Sequence, residues 1–160
     1  MTISVGDKIP SVTLHIMKDS GPEAITTDDI FGGKKVALFG LPGAFTPTCS
    51  AKHVPGFVAN ADALTDKGIE KIVCASVNDA FVMGAWGKDQ GAGDKVMMVA
   101  DGSADLTRAT GLELDLTGRG FGMRCQRFSM VVNDGTVESL NLESDGGYEV
   151  TSAEHMLADL

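Results

Sequence analysis

The chain has 160 residues, of which 43% are hydrophobic and 22% charged, and its formal net charge is −9. This length suits a single domain, residues 1–160, and the acidic balance excludes the basic footprint of a nucleic-acid-binding protein and fits an anionic membrane surface poorly. The N-terminal residues contain no long apolar stretch, so we expect neither a signal peptide nor a transmembrane helix.

The first half of the chain alternates apolar strands with a helix. The segment 11–17 alternates as a strand does, and "KKVALFGLP" is a short apolar run typical of a buried strand. A helix follows, with Thr46 as the expected N-cap, Pro47 in the first turn and Gly68 just after the end. Pro55 lies inside this helix, so we expect a kink there.

The second half continues the alternation and ends in a hairpin. In chain order we expect a buried strand in "IEKIVCASV", a helix capped at Asn78 or Asp79, a strand in "KVMMVAD", a short helix ended by Gly111, a loop in "LELDLTGRGFGM", a hairpin turning at Asp134-Gly135, and a last helix capped by Ser152. Alternation of this kind predicts an α/β fold whose mixed central sheet carries helices on both faces.

The segment "GLPGAFTPTCS" places Cys49 in the first turn of the predicted helix. A helix start offers unpaired N–H groups and the positive end of the dipole, and both favour the thiolate over the thiol. Pro42 and Pro47 stiffen the loop, and the Thr46 hydroxyl can donate to the sulfur or to a substrate. Cys49 is therefore a candidate nucleophile; the alternative is a small buried cysteine that fills a corner between helix and strand.

The sequence "PGAFTPTCS…KHVPGF" resembles the active-site signature of the peroxiredoxins, and of their type II or peroxiredoxin-5-like members in particular. The similarity continues through "SVNDAFVMGAWG" and "RFSMVVNDGTVESLNLE" and so covers nearly the whole chain. The resemblance implies a thioredoxin-like fold and the reduction of hydrogen peroxide and organic hydroperoxides without metal, flavin or other cofactor.

The resemblance also implies residue roles. Cys49 would attack the peroxide and become a sulfenic acid, while Thr46, the loop from Gly43 to Cys49 and Arg127 would stabilise the departing oxygen. Arg127 would pair with the thiolate, and Arg124 is the second choice. Pro42 completes the catalytic motif, and Gly43 and Phe121 are expected at the substrate.

The remaining candidates for chemistry are weaker. His53 follows Cys49 by four residues and could share a helix face with it, but the family uses no histidine base, so we expect a packing or solvent-facing role. The three histidines and three cysteines show no metal-ligand spacing. The odd number of cysteines forms no disulfide framework and no CxxC, which is typical of a protein in the reducing cytoplasm.

The sulfenic acid must be reduced again, and the sequence leaves several routes open. Cys74 matches the position of a second cysteine in plant-type relatives, yet it lies in a predicted buried strand, where it would be inert. Cys125 is two residues from Arg127, so an extended backbone would turn both to one face, but the interpretation we prefer is an incidental thiol. We therefore expect an external thiol to act: glutathione with glutaredoxin, or thioredoxin.

Two further expectations concern assembly and function class. Leu116, Phe121 and Met123 lie in a Gly-rich segment with no obvious core position, and by resemblance they would line the peroxide pocket and a homodimer contact. The alternatives to a peroxidase are a thioredoxin-like disulfide exchanger, which usually needs a second cysteine one turn away, and a non-enzymatic redox sensor or holdase on the same scaffold.

Overall fold

The computed structural model describes residues 1–144 and 146–160. Within these residues, one seven-stranded sheet has the order β2-β1-β5-β4-β3-β8-β9, and β6 pairs with β7 in a separate small sheet. The strands are β1 (Thr13–Lys18), β2 (Gly21–Thr26), β3 (Lys35–Gly40), β4 (Lys71–Ser76), β5 (Met97–Ala100), β6 (Glu113–Leu116), β7 (Gly122–Cys125), β8 (Phe128–Asn133) and β9 (Thr136–Leu142).

The large sheet is mixed, as the sequence predicts. Strands β3, β4 and β5 run parallel, because helices cross over between them. β8 is antiparallel to β3, and β1 is antiparallel to β5. The predicted hairpin of β8 and β9 is confirmed, and its turn residues Asp134 and Gly135 both have positive φ, +48° and +80°, as a two-residue hairpin turn requires.

Helices cover both faces of this sheet. The helices are α1 (Thr27–Phe31), α2 (Val54–Ala59), α3 (Ala61–Asp66), α4 (Ala80–Asp89), α5 (Asp105–Thr110) and α6 (Ala153–Asp159). Alternate residues of β3 enter two separate cores: Ala37 and Phe39 pack with α2, α3, α4 and α6, whereas Val36 and Leu38 pack with α1 and α5. Among the described residues, no helix is both long and apolar enough to cross a membrane.

The prediction of a loop in "LELDLTGRGFGM" is wrong in part. It contains β6, a 3₁₀ turn (Thr117–Arg119) and β7. Leu114 and Leu116 alternate with exposed acidic residues over only four positions, which is too short a pattern to stand out from the glycines. Gly120 and Gly122 have positive φ and allow the chain to turn between the two strands.

The helix predicted from Thr46 to Gly68 is present but divided. It begins at Pro47, contains a π-turn over Cys49–His53, continues as α2, breaks at Asn60 and continues as α3. The predicted irregularity at Pro55 lies directly after the π-turn, in which the N–H of Val54 bonds the carbonyl of Cys49. Proline has no N–H for the regular ladder, so a break in the α pattern near it is expected. The break at Asn60 was not predicted.

Candidate active site

Cys49 lies at the start of the π-turn and has no exposed surface. The Ser50 N–H donates to the Thr46 carbonyl at 3.0 Å, which closes the first helical turn around the cysteine. The sulfur therefore lies at a helix start, where the backbone dipoles favour negative charge. The predicted position of Cys49 in the first turn of a helix is confirmed.

The loop before Cys49 is held by side chains from distant parts of the chain. The Ala44 N–H donates to Oδ1 of Asn78 at 3.0 Å, and Nη1 of Arg124 donates to the Pro42 carbonyl at 3.3 Å. Glycine at position 43 leaves room for this approach, since a Cβ there would lie 2.7 Å from Arg124 Nη1 and the arginine would have to shift. Pro42 and Gly43 thus form part of a fixed wall beside the cysteine.

Thr46 is oriented by its own loop. Its hydroxyl donates to the Gly43 carbonyl at 2.7 Å, and not to the sulfur as one of the sequence-based options had it. With its proton engaged, the Thr46 oxygen presents lone pairs, so it can accept a hydrogen bond from a substrate O–H group.

Arg127 precedes β8 and contacts the sulfur directly. Only 8% of the residue is exposed. Its Nη2 donates to Cys49 Sγ at 3.2 Å, and its Nη1 donates to Nδ1 of His53 at 2.8 Å. One guanidinium therefore joins the thiol to the imidazole, which fixes its position and leaves its positive charge beside the sulfur.

His53 is buried and neutral, so the solvent-facing role suggested by the sequence is wrong and the packing role is found. Burial first, and the Arg127 charge second, lower its pKa from 6.5 to about 3. Since Nδ1 accepts from Arg127, the proton lies on Nε2, which donates to the Thr151 carbonyl at 3.0 Å. The ring packs against Phe39, with centroids 4.8 Å apart. His53 therefore packs, as one prediction had it, and also orients Arg127.

Tyr148 completes the enclosure around this pair. Its ring meets His53 edge-on at 5.3 Å between centroids, and the Arg127 guanidinium carbon lies 6.0 Å from its ring centre. Its hydroxyl donates to the Lys52 carbonyl at 3.2 Å. An aromatic face toward a buried cation adds a favourable electrostatic contact. The sequence reasoning missed Tyr148, since it lies far from the motif in an irregular segment.

Phe121 lies between β6 and β7, beside the arginine that holds the loop before Cys49. It is 44% exposed, and the Arg124 guanidinium stacks over its ring at 5.6 Å. Because Arg124 also holds the Pro42 carbonyl, this contact connects the β6–β7 hairpin to the loop before Cys49. Phe45, 54% exposed, lies in that loop with φ of +63°. The predicted second choice for the thiolate partner, Arg124, thus holds the loop and not the sulfur.

The other two cysteines are buried free thiols. Cys74 pairs in register with Phe39 and belongs to the same core as Cys49; burial, followed by the nearby Cys49 and Cys125, raises its pKa well above the usual value. Burial raises the pKa of Cys125 to about 12. Both thiols are therefore protonated at neutral pH and poor nucleophiles.

Cys125 does not share a face with Arg127, so that prediction is wrong. It packs in the core on the other side of the sheet from Cys49. The argument from alternation assumed an extended strand, but β7 ends at Cys125 and residues 126–127 belong to no strand.

Within the described residues no cluster of three His, Cys, Asp or Glu side chains could hold a metal ion.

Comparisons with known proteins identify the family of this chain. The Redoxin family profile matches residues 4–157. Chloroplastic peroxiredoxin-2E of Arabidopsis thaliana is 50% identical over 99% of this chain and 70% of its own length. The crystal structure of reduced Prx3 in complex with H₂O₂ from Vibrio vulnificus has a TM-score of 0.94 at 46% identity, over 99% of both chains. Peroxiredoxin 5 from Alvinella pompejana has a TM-score of 0.86 at 34% identity, over 98% of this chain and 96% of that one.

The family resemblance of the motif around Cys49 is thereby confirmed over almost the full length of the sequence. The mixed sheet with helices on both faces is the thioredoxin-like fold that the resemblance implies. The chain belongs to the peroxiredoxin family, among its type II, peroxiredoxin-5-like members, and is a thiol peroxidase.

Proposed function

We propose that Cys49 is the residue that reduces the peroxide. The thiolate sulfur attacks one peroxide oxygen, a sulfur–oxygen bond forms and the oxygen–oxygen bond breaks. The departing oxygen takes up a proton and leaves as water or an alcohol, while the two-electron oxidation leaves Cys49 as sulfenic acid. The observation that carries this proposal is the 3.2 Å contact of Arg127 Nη2 with Cys49 Sγ.

Arg127 and Thr46 stabilise and orient the reacting groups in the transition state. The guanidinium stabilises the thiolate before attack and the negative charge on the oxygens during it, because it is fixed in place by His53 and needs no reorganisation. Thr46, whose proton is held by Gly43, accepts a hydrogen bond from the hydroperoxide O–H. Pro42 and Gly43 keep the loop in shape, and Phe121 forms the apolar rim for organic hydroperoxides.

The reductant is an external thiol. It attacks the sulfenic sulfur, water leaves, and a second thiol then releases Cys49 by disulfide exchange. Glutathione with glutaredoxin is the first candidate and thioredoxin the second. Support comes from the burial and raised pKa of Cys74 and Cys125, which disfavour both as internal resolving residues.

The proposed assembly and location are supported by exposed apolar surface and by thiol chemistry. We place a homodimer contact at the rim of the site, since Phe45 and Phe121 expose large apolar rings there. The three free thiols suit a reducing compartment such as the cytoplasm.

Two variants test the assignment of the nucleophile and the reductant. Cys49→Ser should lose peroxidase turnover and keep its fold, since serine cannot supply an anion at neutral pH. The double variant Cys74→Ser, Cys125→Ser should turn over hydrogen peroxide with glutathione and glutaredoxin near the wild-type rate. Retained turnover in Cys49→Ser would remove the nucleophile assignment. Loss of turnover in the double variant, with an intramolecular disulfide in the oxidised wild type, would remove the external-thiol route.

A further inference from the structure

A series of hydrogen bonds connects the end of β9 to the sulfur of Cys49. Oε2 of Glu143 accepts from the Thr151 N–H at 2.9 Å and hydroxyl at 2.8 Å, and the Thr151 carbonyl accepts from His53 at 3.0 Å. His53 accepts from Arg127, which donates to Cys49. The Glu143 N–H also donates to the Arg127 carbonyl at 3.1 Å. The series thus begins at the backbone of Arg127 and returns to its guanidinium.

Glu143 is the point where this series is anchored. Besides the two groups of Thr151, its Oε2 accepts the N–H groups of Glu149 at 2.8 Å and Val150 at 2.9 Å. Burial alone would raise the pKa of Glu143, but the hydrogen bonds from Thr151, Glu149 and Val150 together hold it below its ordinary value. Residues 149–151 belong to no helix or strand, so side-chain bonds of this kind decide where the Thr151 carbonyl lies.

We propose that Glu143 is a positioning residue for peroxide reduction: by anchoring residues 149–151 it places the Thr151 carbonyl that fixes His53, and His53 then holds the Arg127 guanidinium against Cys49. The inference rests on the roles proposed above for Cys49 and Arg127. Glu143 itself lies outside the contacts of the sulfur, and its effect on the reaction is transmitted through two residues.

Glu143 can affect the thiolate fraction of Cys49 in two opposite ways, through its negative charge and through the residues that it holds in place. Removing a nearby carboxylate makes the surroundings more positive, which would increase the thiolate fraction of Cys49. Releasing residues 149–151 lets His53 and Arg127 move away from the sulfur, which would decrease it. The sign of the change therefore separates a positioning role from a purely electrostatic one.

The experiment compares Glu143→Ala with Glu143→Gln and with the control Glu154→Ala. Glu154 is an exposed carboxylate outside the series. Burial is the main cause that raises the pKa of Tyr148, and Glu154 and Glu143 raise it further, so both carboxylates lie near the same ring. The readouts are the thiolate fraction of Cys49 at fixed pH, from ultraviolet absorbance in the Cys74→Ser, Cys125→Ser background, and the rate constant for oxidation by hydrogen peroxide.

Glu143→Ala should lower the thiolate fraction and slow oxidation by about 10- to 100-fold, a cost typical of a misplaced group. Glu143→Gln should lose less, because its amide oxygen still accepts from residues 149–151. Glu154→Ala should match the parent. A Glu143→Ala protein with an unchanged or higher thiolate fraction and the parent rate would overturn the inference.

A second variant, which keeps the Glu143 carboxylate, tests the inference even if Glu143→Ala fails to fold. Thr151→Val removes only the hydroxyl donor, so it should give a smaller loss in the same direction, and parent behaviour in both Thr151→Val and Glu143→Gln would contradict the inference. In an Arg127→Lys background, Glu143→Ala should cost little more, because the group it positions is gone. If Arg127→Lys alone leaves the reaction unchanged, the proposed role of Arg127 fails instead.

Discussion

Arg127 is the residue on which the chemistry of the thiol depends most. Its guanidinium donates at once to Cys49 and His53 and is almost fully buried. Because the residue is not partly exposed, truncating it should also affect folding: it leaves the Nδ1 atom of His53 without its donor.

Arg127→Ala should slow peroxide oxidation of Cys49 by about 100-fold, the usual cost of losing a preorganised donor. It should also lower the thiolate fraction at neutral pH and destabilise the fold by about 1–3 kcal/mol. Stopped-flow oxidation, thiolate absorbance and chemical denaturation measure these three quantities. A variant that reacts as fast as wild type would remove Arg127 from the mechanism.

His53 makes the stability of the protein depend on pH. Its pKa is lowered from 6.5 to about 3 in the folded state, so between these values the unfolded chain binds a proton that the folded protein does not. Stability should therefore fall as the pH drops through this window, by at most about 1.4 kcal/mol per pH unit. In His53→Gln this contribution should vanish. Denaturation curves at several pH values test it, and parallel pH profiles for the two proteins would contradict it.

At the scale of elements, the end of β3 is fitted closely against β8. Gly40 pairs with Phe128 across the two strands, and a Cβ at position 40 would collide with the Phe128 ring. Gly40 precedes the loop that carries Pro42 and Gly43, so this contact sets where the active-site loop begins. Overpacking of this kind forces a buried ring or the backbone to move.

Gly40→Ala should destabilise the protein by about 1–3 kcal/mol. Gly118→Ala is the matched control, because a Cβ there would meet no other atom within 4 Å. Urea denaturation of both variants measures the difference. Equal stabilities would show that β3 and β8 accommodate the methyl group without cost.

Elements were predictable from the sequence where local signals were strong. The caps at Asp79 and Ser152 and the Asp134-Gly135 turn are all found, because each depends on contacts within a few residues. The strands β6 and β7 were missed, since four residues of alternation among glycines resemble a loop. Helix α1 and strand β2 were left unassigned.

The site was predictable where the motif named its residues and unpredictable where contacts come from afar. Arg127 contacts Cys49 as expected from the resemblance, whereas the Thr46 hydroxyl donates to the Gly43 carbonyl of its own loop. The hydrogen bond between His53 and Arg127 depends on a π-turn, which no spacing rule indicates. The anchoring of Thr151 by Glu143 depends on the path of an irregular segment, so no periodic pattern could reveal it.

At the scale of the whole molecule, the single domain over residues 1–160 stays a prediction, and so does the dimer. The reduced protein should sediment as a dimer at tens of micromolar, with Phe121 in the contact. Phe121→Glu should shift it toward monomer, because a charge would then be buried, while the exposed control Phe81→Glu should not. A wild-type protein that sediments only as monomer would count against a stable dimer.

A single thiol, Cys49, is in our proposal activated by its surroundings for peroxide reduction. The direct measurement is the rate constant for hydrogen peroxide with the Cys74→Ser, Cys125→Ser protein, followed with mass detection of the sulfenic acid. We expect sulfenic acid to form on Cys49 at least about a hundredfold faster than on free cysteine at the same pH. Oxidation at the rate of free cysteine would contradict it and favour a redox sensor or holdase.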